Sequence, residues 1–345
     1  MSRERGAETG AMQVFRALAE IPAGFGPSVA AIGNFDGVHR GHREILAGVA
    51  AEARARNAKA VAVTFDPHPE QFLRPARAPQ LLTPLAERLR LLAQTGIDAV
   101  LVLKFDAALA GLEAHEFVEK ILVDALGVTS VHEGQSFRFG HGAAAGVAEL
   151  AAFGAELGFA VHVHPAVRVR GLEVSSSAIR ALVAAGDMRR ARWMLGRPFA
   201  VLSTPARGRG IGTRLLVPTV NLAPYGGLLP ALGVYVTRLK VNGRAFQAVT
   251  NVGNRPTFGA DSFAVESHIL DFEPVELHPT DEDLSVGAPA QKREETRLEL
   301  EFLMRLRGEI RFPSPEALKA QIFKDVARAK RYFRLRQLAV SERKR

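Results

Sequence analysis

Residues 28–165 alternate between short apolar runs and segments with apolar residues at helical spacing. Leu85, Leu89 and Leu92 illustrate the helical spacing, since they share one helix face. The pattern predicts strands at 28–32, 60–65, 99–103, 128–132 and 159–164, and helices at 42–56, 84–95 and 113–126. Strands that alternate with helices form βαβ units around a parallel sheet. We therefore expect a doubly wound α/β domain in this half of the chain.

The rhythm changes after Gly186, where short strands are separated by Gly, Pro and Asn turns instead of helices. The pattern predicts strands at 233–239, 246–252 and 265–270, preceded by a helix at 187–195 and followed by one at 314–332. Such spacing is typical of an antiparallel sandwich or barrel. We place the two domains at 15–186 and 187–337, and we interpret the polar segment 273–295 as an excursion.

The composition fits two folded domains and excludes several kinds of site. The chain has 345 residues, of which 47% are hydrophobic and 23% charged, as in ordinary globular proteins. Cysteine is absent, which excludes disulfides, thiol nucleophiles and cysteine-ligated zinc. No apolar signal segment or membrane-spanning stretch occurs in the sequence, so we expect a cytoplasmic protein without a membrane partner.

The net charge of +9 is unevenly distributed, because residues 168–250 hold 13 Lys and Arg but only two acids. Such a segment suits a phosphate-bearing ligand or RNA, although a solvated basic surface is the more ordinary interpretation. An RNA-binding protein is a remote alternative, since no nucleic-acid motif is present and one Trp and three Tyr offer few stacking surfaces.

The segment GNFDGVHRGH, residues 33–42, stands directly between the first predicted strand and the first long helix. Glycines allow a sharp turn and a close approach of the backbone to a ligand. His39 and His42 fall at the helix N-terminus, where unpaired N–H groups and the helix dipole attract phosphate. The segment therefore predicts a phosphate-binding corner, and a Walker A motif is absent from the chain.

These residues carry a family resemblance. HRGH at 39–42 looks like the HxGH signature of the adenylyltransferase superfamily, and VSSSAIR at 174–180 resembles its second signature, ISSTxIR. The further motifs are TFDPHP at 64–69, FRFG at 137–140, LGRP at 195–198, PTVN at 218–221, NVGNRPTF at 251–258 and VESH at 265–268. Their order is similar to that of bacterial bifunctional riboflavin kinase/FAD synthetases, over about residues 28–335.

The resemblance implies a Rossmann-like nucleotidyltransferase domain that makes FAD and pyrophosphate from FMN and ATP. His39 and His42 would be its catalytic residues. The residues it assigns to ATP are Gly33, Phe35, Asp36, His39, Gly41, His42, Ser175, Ser176 and Arg180. Those it assigns to the flavin are Asn34, Asp66, Pro67, His68, Ser136 and Phe137. The FMN phosphate is already largely ionised at neutral pH, so alignment and charge neutralisation suffice for this reaction.

For the second half the resemblance implies an antiparallel Greek-key β-barrel with a C-terminal helix, which makes FMN and ADP from riboflavin and ATP. Glu266 matches the catalytic base, although an outward-facing strand residue is its ordinary interpretation without the resemblance. The residues assigned to ATP are Gly208, Gly212, Pro218, Thr219 and Asn221, and those assigned to the flavin are Arg255 and Glu266. Thr219 and Asn221 would also hold Mg²⁺, whose preferred ligands are oxygens.

The expected partners are the small-molecule substrates riboflavin, FMN and ATP, with no nucleic acid, and a weak homo-oligomer is left open. Several positions depart from the family pattern, among them Thr213, Leu216 and Val217, which stand where relatives have Arg, Gly and an aromatic residue. We expect this departure to raise the KM for ATP of the kinase. The alternative is an FAD synthetase alone, with an impaired or non-catalytic flavin-binding barrel.

His162 and His164 are two apart on a predicted strand and therefore face the same way, which is the geometry of a metal-binding pair. No third ligand lies within reach in the sequence. The favoured interpretation is a polar strand end before Pro165.

Overall fold

We describe the chain from a computed structural model, which describes residues 11–206, 219–254, 263–271 and 297–342. The chain divides into two compact units between Ser176 and Ser177. The domain limits predicted from the sequence, 15–186 and 187–337, stay predictions. Each unit is described by itself.

The N-terminal unit contains a parallel sheet of six strands. In order of adjacency the strands are β1 (Gln13–Phe15), β4 (Ala99–Lys104), β3 (Lys59–Asp66), β2 (Ser28–Ile32), β5 (Val128–Gly134) and β8 (Ala160–His164). Two small antiparallel pairs accompany it: β6 (Arg138–Phe139) with β7 (Ala145–Gly146), and β9 (Arg168–Val169) with β10 (Leu172–Glu173).

Helices connect these strands, as the alternating pattern predicts. The described ones are α1 (Arg40–Arg56), α2 (Pro69–Leu73), α3 (Leu85–Leu92), α4 (Ala107–Ala110), α5 (Ala114–Phe117), which continues as a π-helix (Val118–Ala125), and α6 (Val147–Leu157). Short 3-10 turns occur at Leu18–Glu20, Pro75–Arg77, Ala93–Thr95 and His141–Ala143. The helix α7 (Ser176–Ala184) spans the division between the units.

Both faces of the sheet are buried under helices, because successive side chains of each strand point to opposite faces. Val29 and Ala31 of β2 pack with Leu46 of α1 and with Leu91 of α3. Ala30 and Ile32 pack on the other face with α5, its π-helical continuation and α6. The unit is therefore a doubly wound α/β domain, as predicted.

The strand order reverses at β2. From β2 the chain proceeds through β3 to β4 on one side, whereas β5 and β8 add on the other side. The carboxyl ends of strands at such a reversal border the crevice where open α/β sheets bind ligands. The segment 33–42 follows β2 at this point, so the topology supports the phosphate-binding corner that the sequence predicts.

The C-terminal unit contains an antiparallel sheet of seven described strands, which curls into an open barrel. In order of adjacency they are β11 (Phe199–Ser203), β17 (Leu298–Arg307), β14 (Gly233–Val241), β15 (Arg244–Asn254), β16 (Phe263–Ile269), β13 (Thr219–Leu222) and β12 (Pro205–Ala206). Besides α7, the helices in the described part of this unit are α8 (Met188–Leu195) and α9 (Pro315–Glu342). Among the described helices, none is long and apolar enough to span a membrane.

The two faces of this curled sheet carry different kinds of side chain. Thr237, Thr250 and Ser267 are fully buried on three adjacent strands, and their hydroxyls form a chain with oxygen–oxygen distances of 2.7 and 2.8 Å. On the other face Val236 and Val249 pack against α9. The face that carries Val249 also carries the candidate kinase residues described below.

Candidate active sites

The phosphate-binding corner is a tight turn between β2 and α1 whose backbone is held in the left-handed region. Gly37 has φ +86°, and Phe35 and Val38 have φ of +46° and +36° although both are buried non-glycine residues. Such conformations persist where the surroundings fix them, and they cluster at ligand sites. The turn directs the chain from the end of β2 into the N-terminus of α1.

His39 and His42 lie together at the first turn of α1. His39 is the N-cap residue, and its Nδ1 accepts a hydrogen bond from the backbone N–H of His42 at 3.2 Å. The two imidazole rings stack with centroids 3.6 Å apart, and the ring of His42 also meets the ring of Phe35 edge-on. Because Nδ1 of His39 acts as an acceptor, its proton is on Nε2, which is a donor suited to phosphate.

Gly41 lies beside this pair. A Cβ at Gly41 would lie 3.2 Å from Cε1 and 3.3 Å from Nδ1 of His39, closer than most side-chain contacts. Gly33 has a milder restriction, since its Cβ would only touch the ring of Phe35 at 3.4 Å. Gly41 of the HxGH motif therefore leaves room for the ring of His39, in addition to the close approach of a ligand that the sequence analysis expects.

The second signature contacts the first one. Ser176 donates a hydrogen bond from Oγ to the carbonyl oxygen of Asp36 at 2.8 Å. Ser175 is half-buried next to it, and Arg180 follows four positions after Ser176 on the same helix, in the C-terminal unit. The structure thus joins Ser176 to the corner, and the ATP contacts assigned to Ser175 and Arg180 stay predictions.

Asp36 is 1% exposed, and its carboxylate points into the protein. Its oxygens accept hydrogen bonds from the backbone N–H groups of Leu82 and Thr83 at 3.0 and 2.8 Å and from the Thr83 hydroxyl at 3.1 Å. Thr83 Oγ1 accepts in turn from the N–H of Gly37 at 2.8 Å. These bonds fix the turn, so the carboxylate of Asp36 supports the corner while its backbone borders it.

Arg88, which the sequence analysis missed, lies beneath the corner with a side chain only 1% exposed. Its Nη1 donates to the carbonyl oxygens of Asn34 and Phe65 at 2.7 and 3.1 Å and to the hydroxyl of Thr64 at 3.1 Å. Burial lowers the pKa of this guanidinium, whereas Asp36 and Asp66 oppose the shift. Arg88 thereby ties the β2 turn to the end of β3.

Asn34 lies in the turn after β2, and the other five residues assigned to the flavin in this unit lie at the ends of two further strands. Asp66 ends β3 and its side chain is half-exposed, and a cis peptide bond joins it to Pro67. His68 caps the short helix α2 by accepting from the N–H of Glu70 at 3.2 Å. Ser136 is exposed and Phe137 half-buried beyond β5. The structure therefore places these five residues at the carboxyl ends of β3 and β5, while the flavin contacts of all six stay predictions.

A second residue that sequence reasoning missed is Glu133, near the end of β5, which is 3% exposed. Its Oε1 accepts a hydrogen bond from the N–H of Ile32 at 2.6 Å, directly before the corner begins. Burial raises the pKa of this carboxyl group well above its ordinary value, although hydrogen bonds from Ile32 and Gly134 oppose the shift. Burial at this position therefore favours the neutral form of the carboxyl group.

Replacement of this group by an uncharged amide tests its protonation. The raised pKa means that the folded chain binds a proton more tightly at Glu133 than the unfolded chain does, so stability falls as pH rises through the folded pKa. We expect Glu133→Gln to be more stable than the parent at pH 8 by about 1 kcal/mol or more, with the difference shrinking towards pH 5. Urea unfolding across this pH range measures it. Exposed Glu119→Gln is the control, and equal pH profiles for Glu133→Gln and the parent would contradict the argument.

The candidate kinase residues of the C-terminal unit form a row across three strands. Asn221 of β13 is directly opposite Glu266 of β16, which is directly opposite Asn251 of β15. Thr219 is opposite His268 in the same way, and burial lowers the pKa of His268. Because residues directly opposite each other share a sheet face, all five side chains lie on the face that also carries Val249.

A further carboxylate approaches this row. A Cβ at Gly253 would lie 3.0 Å from Oε1 of Glu309 and 3.2 Å from Nδ2 of Asn251. Glu309 follows β17, and the sequence analysis did not select it. Asn251 and Glu309 are therefore additional polar groups at the candidate kinase site.

The row offers the donor set that Mg²⁺ prefers. Asn221 is 9% exposed, Thr219 is half-buried and Glu266 is exposed, so oxygen donors with different solvent access share one face. Hydroxyl, amide and carboxylate oxygens are hard donors that suit this ion, which keeps several of its waters. The residues present fit the metal implied by the resemblance. Gly208, Gly212, Pro218 and Arg255 lie outside the described residues.

Comparisons with known proteins match a family to each half of the chain. The FAD synthetase family model matches residues 23–178, and the riboflavin kinase family model matches residues 195–333. A bifunctional riboflavin kinase/FMN adenylyltransferase from Pseudomonas fluorescens is 37% identical over 92% of this chain and 97% of its own length. The protein of the same description from Escherichia coli K12 is 34% identical over 89% of this chain and 93% of its own length.

The chain belongs to the bifunctional riboflavin kinase/FMN adenylyltransferase family. The match of both domain models favours the bifunctional hypothesis over an FAD synthetase with a non-catalytic barrel. The fold is also that of a solved Streptococcus pneumoniae structure described as a macrolide-efflux protein. That structure has a TM-score of 0.79 and 24% identity, and the match covers 93% of this chain and 99% of the other. At this identity the likeness concerns the fold alone.

Proposed function

We propose that the N-terminal unit transfers the adenylyl group of ATP to FMN at the corner between β2 and α1. The observation that carries this proposal is the pairing of His39 and His42 at a helix N-terminus, at the reversal point of a parallel sheet. A phosphate oxygen of FMN attacks the α-phosphorus of ATP, and the bond from that phosphorus to the bridging oxygen of pyrophosphate breaks. Imidazole donors and the N-terminal N–H groups of α1 would neutralise the charge on the phosphates.

We also propose that the C-terminal unit phosphorylates riboflavin with Glu266 as the base. A ribityl hydroxyl is neutral, so it must lose its proton as its oxygen attacks the γ-phosphorus and ADP leaves. Glu266 is exposed on the same face as Thr219 and Asn221, which allows its carboxylate to meet a substrate there. Thr219 and Asn221 would hold Mg²⁺, which when bound would neutralise charge on the nucleotide phosphates.

The decisive experiment is the product profile of the purified chain. With riboflavin and Mg-ATP we expect FMN and then FAD, and with FMN and Mg-ATP we expect FAD and pyrophosphate, each separated by HPLC. Omission of ATP is the control. FAD formed from FMN with no product from riboflavin would leave the FAD synthetase alternative and overturn the kinase proposal.

Removal of divalent metal should stop both reactions. After EDTA treatment and desalting, we expect no FMN or FAD to form until Mg²⁺ is added, because the candidate ligands beside the nucleotide are oxygens. The measurement is the rate of each reaction against Mg²⁺ concentration. Restoration by Zn²⁺ but not by Mg²⁺ would contradict this assignment.

The substrates themselves are the partners that we propose, in the cytoplasm, without nucleic acid. The net charge of +9 suits ligands that carry phosphate, and both candidate sites supply donors for phosphate. Gel filtration at several protein concentrations tests whether a weak homo-oligomer forms.

A further inference from the structure

A cluster of polar side chains lies at the edge of the parallel sheet, on the face covered by α1. His132 of β5 and His162 of β8 are directly opposite each other, and His164 follows two residues later on β8, so all three imidazoles share a face. Val131 packs in the core of the opposite face, which confirms that His132 points towards α1. Together with Glu52 of α1 these residues form the imidazole cluster.

Two imidazole nitrogens of the cluster lie close to one carboxylate oxygen, and the third imidazole contacts one of these two rings. Oε2 of Glu52 lies 2.6 Å from Nε2 of His132 and 3.3 Å from Nε2 of His162. Nδ1 of His132 lies 2.9 Å from Nε2 of His164. One ligand atom from each of Glu52, His132 and His162 lies within 4.8 Å of the others.

Two features of α1 position this cluster. Gly48 makes room for the rings, since a Cβ there would lie 2.8 Å from Nδ1 of His132 and 3.1 Å from a carbon of His164. Arg56 binds the other oxygen of Glu52 with its Nε at 2.8 Å, which directs Oε2 towards the imidazoles. The side chain of His162 is 49% exposed whereas that of His132 is 7% exposed, so the cluster opens to solvent on one side.

The surroundings shift the pKa values of three residues in the imidazole cluster. Burial would raise the pKa of Glu52, but the hydrogen bond from His132 and the nearby His162 outweigh it and lower the pKa overall. Burial lowers the pKa of His132, against the effect of Glu52, and burial likewise lowers the pKa of His164. Metal ions bind the ionised form of a carboxyl group and the neutral form of an imidazole, and the shifts of Glu52, His132 and His164 favour these forms.

We propose that Glu52, His132 and His162 form a binding site for a divalent transition-metal cation of the zinc type, with His164 as the hydrogen-bond partner of His132. Two imidazole nitrogens and one carboxylate oxygen are the donors of three-ligand zinc sites, in which water takes the fourth position. Imidazole nitrogens distinguish this site from the oxygen donors that suit Mg²⁺.

Two of the distances between ligand atoms can be compared with those of a tetrahedral metal site. Metal–nitrogen and metal–oxygen bonds of about 2.0–2.1 Å place tetrahedral ligand atoms about 3.3 Å apart. The distance from Glu52 to His162 already has this value, and the distance from Glu52 to His132 must widen by about 0.7 Å. When the metal binds Nε2 of His132, the proton of that ring moves to Nδ1 and donates to His164, whose own proton moves to its Nδ1. The number of bound protons is unchanged.

The proposed site is separate from the phosphate-binding corner. Glu52 follows His42 by ten residues on α1, which corresponds to about 15 Å along the helix axis. A metal there would join α1 to the edge strand β8 without contact with the catalytic histidines. No third ligand for His162 and His164 could be identified from the sequence, because Glu52 and His132 come from other elements of the fold.

Metal titration of the full chain tests the proposal. The protein is treated with EDTA, desalted and titrated at pH 7.5 with Zn²⁺ in competition with a chromogenic chelator, and separately with Co²⁺ while its visible absorption is recorded. We expect one site per chain with the intense Co²⁺ bands of four-coordination. We expect His162→Ala and Glu52→Gln to weaken zinc binding at least 100-fold, and His164→Ala to weaken it about 10–100-fold, as loss of an outer-shell partner does.

Two controls separate the imidazole cluster from other histidines. His115 lies 3.9 Å from Glu119 and 3.5 Å from Glu156 and is comparably exposed, so His115→Ala removes a surface histidine with carboxylate neighbours. His42→Ala removes one of the two stacked histidines of the phosphate-binding corner. Both controls should retain the site. Absence of micromolar zinc binding in the parent, or binding that survives in His162→Ala and Glu52→Gln but disappears in His42→Ala, would overturn the proposal.

Discussion

Glu266→Gln is expected to lower FMN formation from riboflavin by about 10²–10⁴-fold, the usual contribution of a positioned general base. The amide keeps the size of the side chain but cannot accept the proton of the ribityl hydroxyl. Glu266 is exposed and neighbours Asn221 and Asn251 across the sheet, so the replacement buries no new polar group. FAD formation from FMN should be unchanged, because the residues assigned to that reaction lie before β11, outside the sheet that carries Glu266.

The control for this prediction is another strand glutamate of the same sheet. Glu299 of β17 pairs with Lys240 at 3.0 Å and does not belong to the row of Glu266. Glu299→Gln should leave both rates within about a factor of two of the parent, as removal of a partly exposed ion pair contributes little. If Glu266→Gln kept full FMN formation, the base would be another group, with Glu309 as the first candidate beside Asn251.

Five of the six strands of the N-terminal sheet could be predicted because each contains a short run rich in apolar or β-branched residues, whereas β1 has only the three residues Gln13–Phe15. Strand β2 occupies Ser28–Ile32, as predicted, since both of its faces are buried and turn residues follow it. The π-helical continuation of α5 was predicted only as helix, because its altered hydrogen bonding leaves the apolar spacing nearly the same. Periodicity therefore gives the element and its position but not its local geometry.

The C-terminal sheet was only partly predicted. Strand β17 has the sequence LELEFLMRLR, whose first residues alternate between apolar and acidic, and this signal was not used. Strand β11 has the five-residue sequence FAVLS, the same length as β2, but it is not among the predicted strands. The last helix extends to Glu342, beyond the predicted end at 332, because no glycine or proline stops it.

The residues that support the phosphate-binding corner could not be found from the sequence. Arg88 is a charged residue of helix α3, and such residues ordinarily face solvent. It is buried because carbonyl oxygens from the turn after β2 and from the end of β3 accept its hydrogen bonds. Glu133 and His132 follow an apolar run and resemble a polar strand end. Glu133 bonds to Ile32, 101 residues earlier in the chain, and His132 contacts Glu52, 80 residues earlier. The local sequence pattern does not show such distant partners.

The motif residues, in contrast, could be identified from the sequence because the residues of each motif are close together in the chain. His39 and His42 lie one helical turn apart, so an N-cap and a stacked neighbour follow from spacing once the helix start is known. The hydrogen bond from Ser176 to Asp36 joins two motifs that the sequence separates by 140 residues. Family resemblance supplied that juxtaposition in advance, whereas physical reasoning on each segment alone did not.

His42→Ala is expected to lower FAD formation from FMN by about 10²–10³-fold, the cost of removing one donor that stabilises charge in a transition state. Alanine keeps the backbone N–H that donates to Nδ1 of His39, and it is compatible with the helix. The variant therefore removes the imidazole while the N-cap of α1 remains. Stability in urea should stay close to that of the parent, and FMN formation from riboflavin should be unchanged.

His39→Ala provides the contrast that distinguishes catalysis from structure. His39 supplies both an imidazole and the N-cap, so this variant should lose FAD formation to a similar extent and also about 1 kcal/mol of unfolding free energy. Steady-state rates against ATP and FMN, measured beside urea unfolding, separate the two effects. If His42→Ala lost as much stability as His39→Ala, the stacking of the two rings would be structural, and the loss of activity could not be assigned to phosphate binding.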